Sequence, residues 1–208
     1  EGALDSFRVI GGLYAEALQL VTMDPEIKSV ADLKGKKVSI GAAGSGVYFN
    51  AMDVLAAAGL TEADIIPQYQ SFGDSADALK DRKIDAAFIV AGAPTPAIQE
   101  LCTSATAYLV PIDGDIAAKL MASSPYYTTY KVPAGTYNGQ TSDVTTVTVK
   151  ATLIVSTSAS EDAVYNVTKA IFDNIDTITA AHAKGAELSL QNATDGMTAP
   201  FHAGAAKY

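Results

Sequence analysis

The chain has 208 residues, 49% of them hydrophobic and 18% charged, with a formal net charge of -9. That balance speaks against nucleic acid and anionic membrane surfaces as partners. A single cysteine, Cys102, rules out an intrachain disulfide and a thiolate metal cluster. No apolar run approaches the roughly 20 residues that span a bilayer. The opening Glu-Gly-Ala-Leu-Asp-Ser-Phe lacks the basic and apolar regions of a signal peptide, and a cleaved one leaves no trace.

Leu18-Gln-Leu-Val-Thr22 reads as a strand, broken by Asp24-Pro25. Ser29-Val-Ala-Asp32 has the form of a capping box opening a short turn that ends at Gly35. A strand over 38–40 runs into the glycine-rich Gly41-Ala-Ala-Gly-Ser-Gly46. A helix is predicted over 47–58, with Phe49, Met52 and Leu55 or Ala56 facing inward and Gly59 as its stop. Thr61-Glu-Ala-Asp64 caps another turn, and a strand follows over 65–70. A short helix over 74–82 turns Ala76 and Leu79 inward. Ala86-Ala-Phe-Ile-Val-Ala91 is a continuous apolar run, the pattern of a buried strand in a parallel sheet.

A helix follows over 94–101 with Pro96 in its first turn. Then come a strand over 108–112 and a helix over 113–122. Strand and helix thus alternate from about residue 30 to 122, an α/β pattern with a largely parallel sheet. Beyond Ser123 the texture changes, with Tyr126, Tyr127, Tyr130 and Tyr137 among turn residues. They are read chiefly as a long connection packed over the lobe, with a cleft wall or a partner surface as the alternatives. A β-branched run over 144–155 is extended, and Ser158-Ala-Ser-Glu161 caps a helix reaching His182. Its stripe is Ala163, Val167, Ala170, Ile171, Ile175 and Ile178.

The turn over 41–46 is the strongest local signal. It lacks the G-x-G-x-x-G spacing of a dinucleotide site and the Gly-Lys of a P-loop. Its serine is not flanked as in a nucleophile elbow. An anion cradle at a helix start remains, with Ser45 adding a hydroxyl, beside the plainer reading of a structural tight turn. His182 and His202 have no carboxylate at a recognisable spacing and read as surface or satisfied residues. Cys102 reads as buried and inert, and Asp85 as a turn residue. Tyr14 and Glu16 line a cleft or form an exposed connector; in a cleft, Glu16 faces an ammonium group. The sequons at Asn166 and Asn192 are chance matches. Neither an enzyme's nucleophile and base nor a metal or cofactor motif is present.

Several motifs occur in order: Leu13-Tyr-Ala-Glu16, Asp32-Leu-Lys-Gly-Lys-Lys-Val38, Gly41-Ala-Ala-Gly-Ser-Gly46, Ile84-Asp-Ala-Ala-Phe88 and Gly92-Ala-Pro94. Ser124-Pro-Tyr-Tyr127, Pro133-Ala-Gly-Thr-Tyr137 and Pro200-Phe-His-Ala-Gly-Ala205 follow. The set resembles the TAXI family of TRAP-transporter solute-binding proteins from about Phe7 to Tyr208. The resemblance implies a two-lobed, Venus-flytrap α/β fold of the periplasmic-binding-protein type, with parallel-rich sheets flanked by helices and one lobe incomplete. It implies a periplasmic or extracytoplasmic monomer that closes over a ligand held between its lobes. The ligand is a small organic anion, glutamate or a related amino acid or dicarboxylate, passed to TRAP-type permease subunits.

On this basis residues 1–22 are a remnant of lobe 1 with the first crossing strand, 23–147 form lobe 2, and 148–208 return to lobe 1. The chain enters the family pattern after its first third, so the natural protein is expected to carry a further N-terminal part. The implied ligand residues are Gly44, Ser45, Gly46 and Val47 through backbone N–H groups and the Ser45 hydroxyl. Tyr14, Glu16 and Tyr48 follow, then Ala91, Gly92 and Pro94. Family members continue the Gly-Ser-Gly with Thr-Arg; Val47-Tyr48 stand there here, so an arginine fork is missing and Tyr48 is free to meet a different substrate. The only arginines, Arg8 and Arg82, fall in no obvious pocket loop. The alternatives from other classes are the effector domain of a transcription regulator and an enzyme on the same lobes.

Overall fold

The computed structural model describes residues 5–208, apart from the side chain of Ala183. Residues 1–4, where the predicted lobe 1 remnant begins, lie outside the described part. In chain order the elements are β1 (Phe7–Thr22), β2 (Lys37–Ser39), α1 (Gly46–Ala57), β3 (Ile66–Gln68), α2 (Phe72–Lys80), β4 (Ala86–Ala91) and α3 (Pro96–Ser104). They continue with β5 (Tyr108–Val110), α4 (Gly114–Ser123), β6 (Thr128–Val132), β7 (Val144–Ser156), α5 (Glu161–Phe172), α6 (Ile175–Ala181) and α7 (Ala203–Lys207). The chain divides into two compact units: residues up to Ala15 with Val149–Tyr208, and Glu16–Thr148.

The α/β class follows the sequence reading, but the sheet is mixed. In the Glu16–Thr148 unit β3, β2 and β4 are parallel. β1 is antiparallel to β4 and to β5, and β6 is antiparallel to β7. The expectation of a largely parallel sheet fails because β1 enters the sheet beside β4 from the opposite direction. It then carries β5 on its far edge, with Leu20 opposite both Phe88 and Val110.

Strand order creates the feature that matters for function. From β2 the chain passes through α1 to β3 on one side, then back through α2 to β4 on the other. Right-handed crossovers in opposite directions place their helices on opposite faces. Accordingly α1 packs with α4, and α2 with α3. From β4 the chain leaves through α3 toward β5, beyond β1. The carboxyl ends of the neighbours β2 and β4 therefore flank a topological switch point, where open α/β sheets bind ligands.

Buried side chains fix these elements. On the α2/α3 face Leu79, Ile89, Ile98 and Leu101 are at most 3% exposed, each such side chain contributing about 1.5–3 kcal/mol by burial. The buried hydroxyls of Ser39 and Ser75 meet at 2.8 Å and tie β2 to α2. Asp85, read as a turn residue, accepts the Lys37 N–H at 2.7 Å and aligns the starts of β2 and β4. Gly59 stops α1 through a Schellman pair: Leu60 N–H to the Leu55 carbonyl at 2.8 Å, and Gly59 N–H to that of Ala56 at 3.0 Å. In the predicted Ser29 capping box and at the predicted Thr61 turn cap the aspartate accepts the leading residue's N–H, at 2.8 Å for Ser29 and 2.9 Å for Thr61, whereas the predicted Ser158 box does not form. The Ser29 hydroxyl and backbone N–H bonds hold Asp32 below the usual carboxylate range, and the Thr61 N–H and hydroxyl do the same for Asp64.

Three local expectations need correction. α1 buries Ala51, Val54 and Leu55 rather than Phe49 and Met52, and Phe49 is 60% exposed. The stretch to His182 is two helices, α5 and α6, separated at Asp173 and Asn174 and capped by Ser160 rather than Ser158. Its buried stripe is Val164, Thr168 and Phe172, one residue along from the predicted one, and Val167 is exposed. Thr168 tolerates burial because its hydroxyl donates to the Val164 carbonyl one turn back, at 2.8 Å. Finally, β1 begins at Phe7, well before Leu18. Gly11 and Gly12 hide its alternation, yet a Cβ at Gly12 would lie 2.3 Å from Lys150 Cδ.

Candidate functional site: the exits of two neighbouring strands

The exit of β2 is built from backbone. Gly41 adopts φ 80° and Gly44 φ 71°, both in the region that favours glycine. The Ser45 N–H donates to the Ala42 carbonyl at 3.0 Å and closes the turn. The Ser45 hydroxyl then caps α1, accepting the Tyr48 N–H at 3.2 Å. Gly46 and Val47 are the first two helical residues, and their N–H groups have no acceptor among the described residues. This end carries the partial positive charge of the helix dipole, and the Ser45 hydroxyl proton stays available. Gly41 also admits Val47: a Cβ there would stand 2.6 Å from Val47 Cβ.

Tyr48 turns away from this exit. Its hydroxyl donates to Glu62 Oε2 at 3.0 Å, and Tyr69 donates to the other oxygen of the same carboxylate. The bond to Glu62 pushes both phenols up. The position where the TAXI resemblance implies Thr-Arg thus serves a tyrosine and carboxylate cluster.

The exit of β4 is held by side chains instead. Gln19, Thr95 and Tyr137 are 2%, 3% and 3% exposed and form a closed ring. The Tyr137 hydroxyl donates to Gln19 Oε1 and accepts the Thr95 N–H at 2.9 Å. Gln19 Nε2 donates to Thr95 Oγ1 at 3.0 Å and to the Ala91 carbonyl at 3.3 Å. Thr95 Oγ1 donates to the Gly92 carbonyl at 3.0 Å. Every polar atom of the ring is satisfied, as burial demands. Pro94, next in the loop, follows a cis peptide bond.

Glu16 lies next along the sheet. Ala17 pairs with Ala91, so Glu16 continues the register beside Gly92. Its carboxylate is half-buried with no partner among the described residues, and burial pushes its pKa up. Tyr14, two residues back on β1, shares its strand face and is also half-buried. It belongs to the other compact unit.

The tyrosines over 124–137 divide by role. Tyr127 is buried; its hydroxyl donates to Asp53 Oδ2 at 2.7 Å and accepts from Asn50 Nδ2 at 2.8 Å, fastening α1 from below. Burial first, then Asp53, pushes this phenol far up. Tyr137 fastens the β4 exit, and burial raises its pKa. Tyr126 is 39% exposed. Two buried tyrosines on one connection thus each grip one strand exit or its helix, the packing role foreseen for the group. Gln19, Thr95, Asn50 and Asp53 were missed. A glutamine inside Leu18-Gln-Leu-Val was the available signal, since a polar residue on a central strand needs partners.

The model of the NMT1-like family matches residues 1–208. The chain belongs to the NMT1-like family. Among solved structures, this NMT1-like chain is similar to the periplasmic aliphatic sulphonate binding protein SsuA from Escherichia coli. Identity is 25% and the TM-score 0.40, over 49% of this chain and 33% of that one. The alkanesulfonate-binding SsuA from Xanthomonas axonopodis pv. citri, bound to MOPS, shows 27% identity and a TM-score of 0.42, over 50% and 36%. A periplasmic binding protein from Brucella ovis with glutathione bound shows 11% identity and 0.46, over 84% and 48%. The chain therefore spans a third to a half of these proteins' lengths.

The remaining sequence candidates of this NMT1-like chain are structural. His202 is buried, its Nδ1 accepting the Gly204 N–H at 3.2 Å and its Nε2 standing 3.2 Å from the Ala159 carbonyl. His182 accepts the Lys184 N–H at 3.1 Å. Cys102 is buried and free, and burial pushes its thiol up. Arg8 donates to the carbonyls of Asp5 and Phe7, and Arg82 follows α2. No group of three His, Cys, Asp or Glu able to hold a metal occurs among the described residues. No described helix is long and apolar enough to cross a membrane.

Proposed function

We propose that the chain is the ligand-holding part of an extracytoplasmic solute receptor of a TRAP-type uptake system. It takes a small organic anion, glutamate or a related amino acid or dicarboxylate, and delivers it to membrane permease subunits. It acts without catalysis, without cofactor and as a monomer. The observation that carries this reading is the pair of unpaired N–H groups, Gly46 and Val47, at the switch point between β2 and β4. Backbone donors at a helix start hold a carboxylate without any basic side chain. Glu16 lies on β1, two strands from β2, and its carboxylate is the group that meets an ammonium. The TAXI-like order of motifs, within NMT1-like family membership, supplies the transport context.

A thermal-shift screen of amino acids and dicarboxylates tests the proposal. A ligand at one hundred times its Kd adds about 2.7 kcal/mol. For a chain of this size that raises the melting temperature by roughly 5–10 °C. A screen at millimolar concentration in which no organic anion moves the transition sinks the reading. Uptake that follows an imposed ion gradient without ATP supports the TRAP assignment, and strict ATP dependence overturns it.

A further inference from the structure

We infer that Gln19, Thr95 and Tyr137 are positioning residues that turn the N–H groups of Gly92 and Ala93 into a second donor pair for an oxyanion. The inference rests on the reading of the switch point as the ligand site and adds a part to it. It starts from the carbonyls the ring holds. Gln19 Nε2 binds the Ala91 carbonyl and Thr95 Oγ1 binds the Gly92 carbonyl. In a planar trans peptide the C=O and the following N–H point in opposite directions. The only cis bond among the described residues is Ala93-Pro94, so the peptides joining Ala91 to Gly92 and Gly92 to Ala93 are trans.

Tethering these two carbonyls to the ring therefore points both following N–H groups away from it. Neither N–H has an acceptor among the described residues; Ala93 is only 8% exposed and Gly92 is half-buried. Backbone N–H groups shielded from solvent are rarely left unpaired in folded proteins. Two successive free N–H groups form the kind of concavity that takes an anion oxygen. Pro94 supplies no N–H, which ends the donor run.

The ring is costly to arrange and not needed to close the loop locally. Tyr137 comes from 42 residues downstream of Thr95, and Gln19 from 76 residues upstream. Loops over buried strands ordinarily satisfy their carbonyls with solvent. Here two almost fully buried side chains, Gln19 and Thr95, do so from within, and the buried Tyr137 holds both of them. The ligand class that fits these two N–H groups is a small anion that offers them an oxygen.

The test uses the whole 208-residue chain, 15N-labelled, titrated with sodium sulfate and separately with sodium glutamate. The amides of Gly92, Ala93, Gly46 and Val47 are followed in wild type, Tyr137→Phe and Thr95→Ala. The expected result is saturable downfield shifts at all four amides in wild type. Each variant should keep the Gly46 and Val47 response and weaken that of Gly92 and Ala93 at least tenfold in apparent affinity. Hydrogen exchange at Gly92 and Ala93 in the unliganded variants should quicken relative to Gly46. If Gly46 and Val47 respond in wild type while Gly92 and Ala93 stay silent, the second pair is overturned and the first site stands. If none of the four responds to either anion, the switch-point reading itself falls. Unchanged Gly92 and Ala93 responses in both variants overturn the positioning role. Should Tyr137→Phe not fold, Thr95→Ala, which keeps the Tyr137 to Gln19 bond, decides alone.

Discussion

The exits of β2 and β4 lie side by side on one sheet, yet they are built by opposite means. The β2 exit is local: two glycines with positive φ, a serine cap and a helix start, all within seven residues of one another. Its polar groups satisfy themselves or stay open, and among the described residues no distant side chain hydrogen-bonds to the turn. The β4 exit is non-local, shaped by buried side chains from two remote parts of the chain. The contrast teaches that a strand exit can be made rigid either by backbone geometry or by a buried polar ring. The two respond differently to substitution.

The strongest way to break the contrast is Gly41→Ala. The new Cβ meets Val47 and forces a left-handed conformation on alanine. We expect a loss of about 2–4 kcal/mol of stability in urea unfolding, by combining strain with overpacking. Tyr137→Phe comes next. It strands the Thr95 N–H and Gln19 Oε1 in the interior, at about 2–3 kcal/mol. Tyr127→Phe should lose only about 1 kcal/mol, because Asp53 and Asn50 are half-buried and reach water. Equal losses for the two tyrosines would erase the distinction between ring and strut. Ser45→Ala removes the cap of α1 and should also lose about 1 kcal/mol, with no change in hydrogen exchange at Gly92.

The smallest effect concerns Glu16. Burial raises its pKa in the folded chain, so the folded state binds its proton more tightly than the unfolded state does. Its contribution to stability therefore falls as pH rises from the unfolded value, about 4.3, through the raised folded value, and then levels off. Glu16→Gln should be the more stable protein at neutral pH, with the difference vanishing below about pH 4. A difference that grows on acidification would mean that the carboxylate is stabilised by a partner rather than strained by burial.

What the sequence makes legible follows the same division. The β2 exit, the Ser29 capping box, the Thr61 turn cap, the Gly59 stop and the bounds of β4 all depend on residues a few positions apart, and they are read directly from order and spacing. The β4 exit depends on residues 42 and 76 positions away from Thr95, which no local pattern joins. Periodicity misplaced the inner faces of α1 and α5 by about one residue. In α1 an alanine and two aliphatics suffice to pack, leaving Phe49 outside. In α5 a threonine that satisfies itself is buried in place of a valine. The mixed sheet was hidden because apolar runs do not carry direction: β1 and β4 are equally buried, and only their pairing shows that they run opposite ways.

The most direct measurement is calorimetric titration of the best ligand from the thermal screen against wild type and Ser45→Trp. An indole at that position covers the N–H groups of Gly46 and Val47, and the change otherwise removes one helix cap. The account predicts that affinity falls at least a hundredfold while the unliganded variant still unfolds cooperatively, about 1 kcal/mol less stable. Unchanged affinity in a folded Ser45→Trp protein would place the ligand elsewhere and contradict the account.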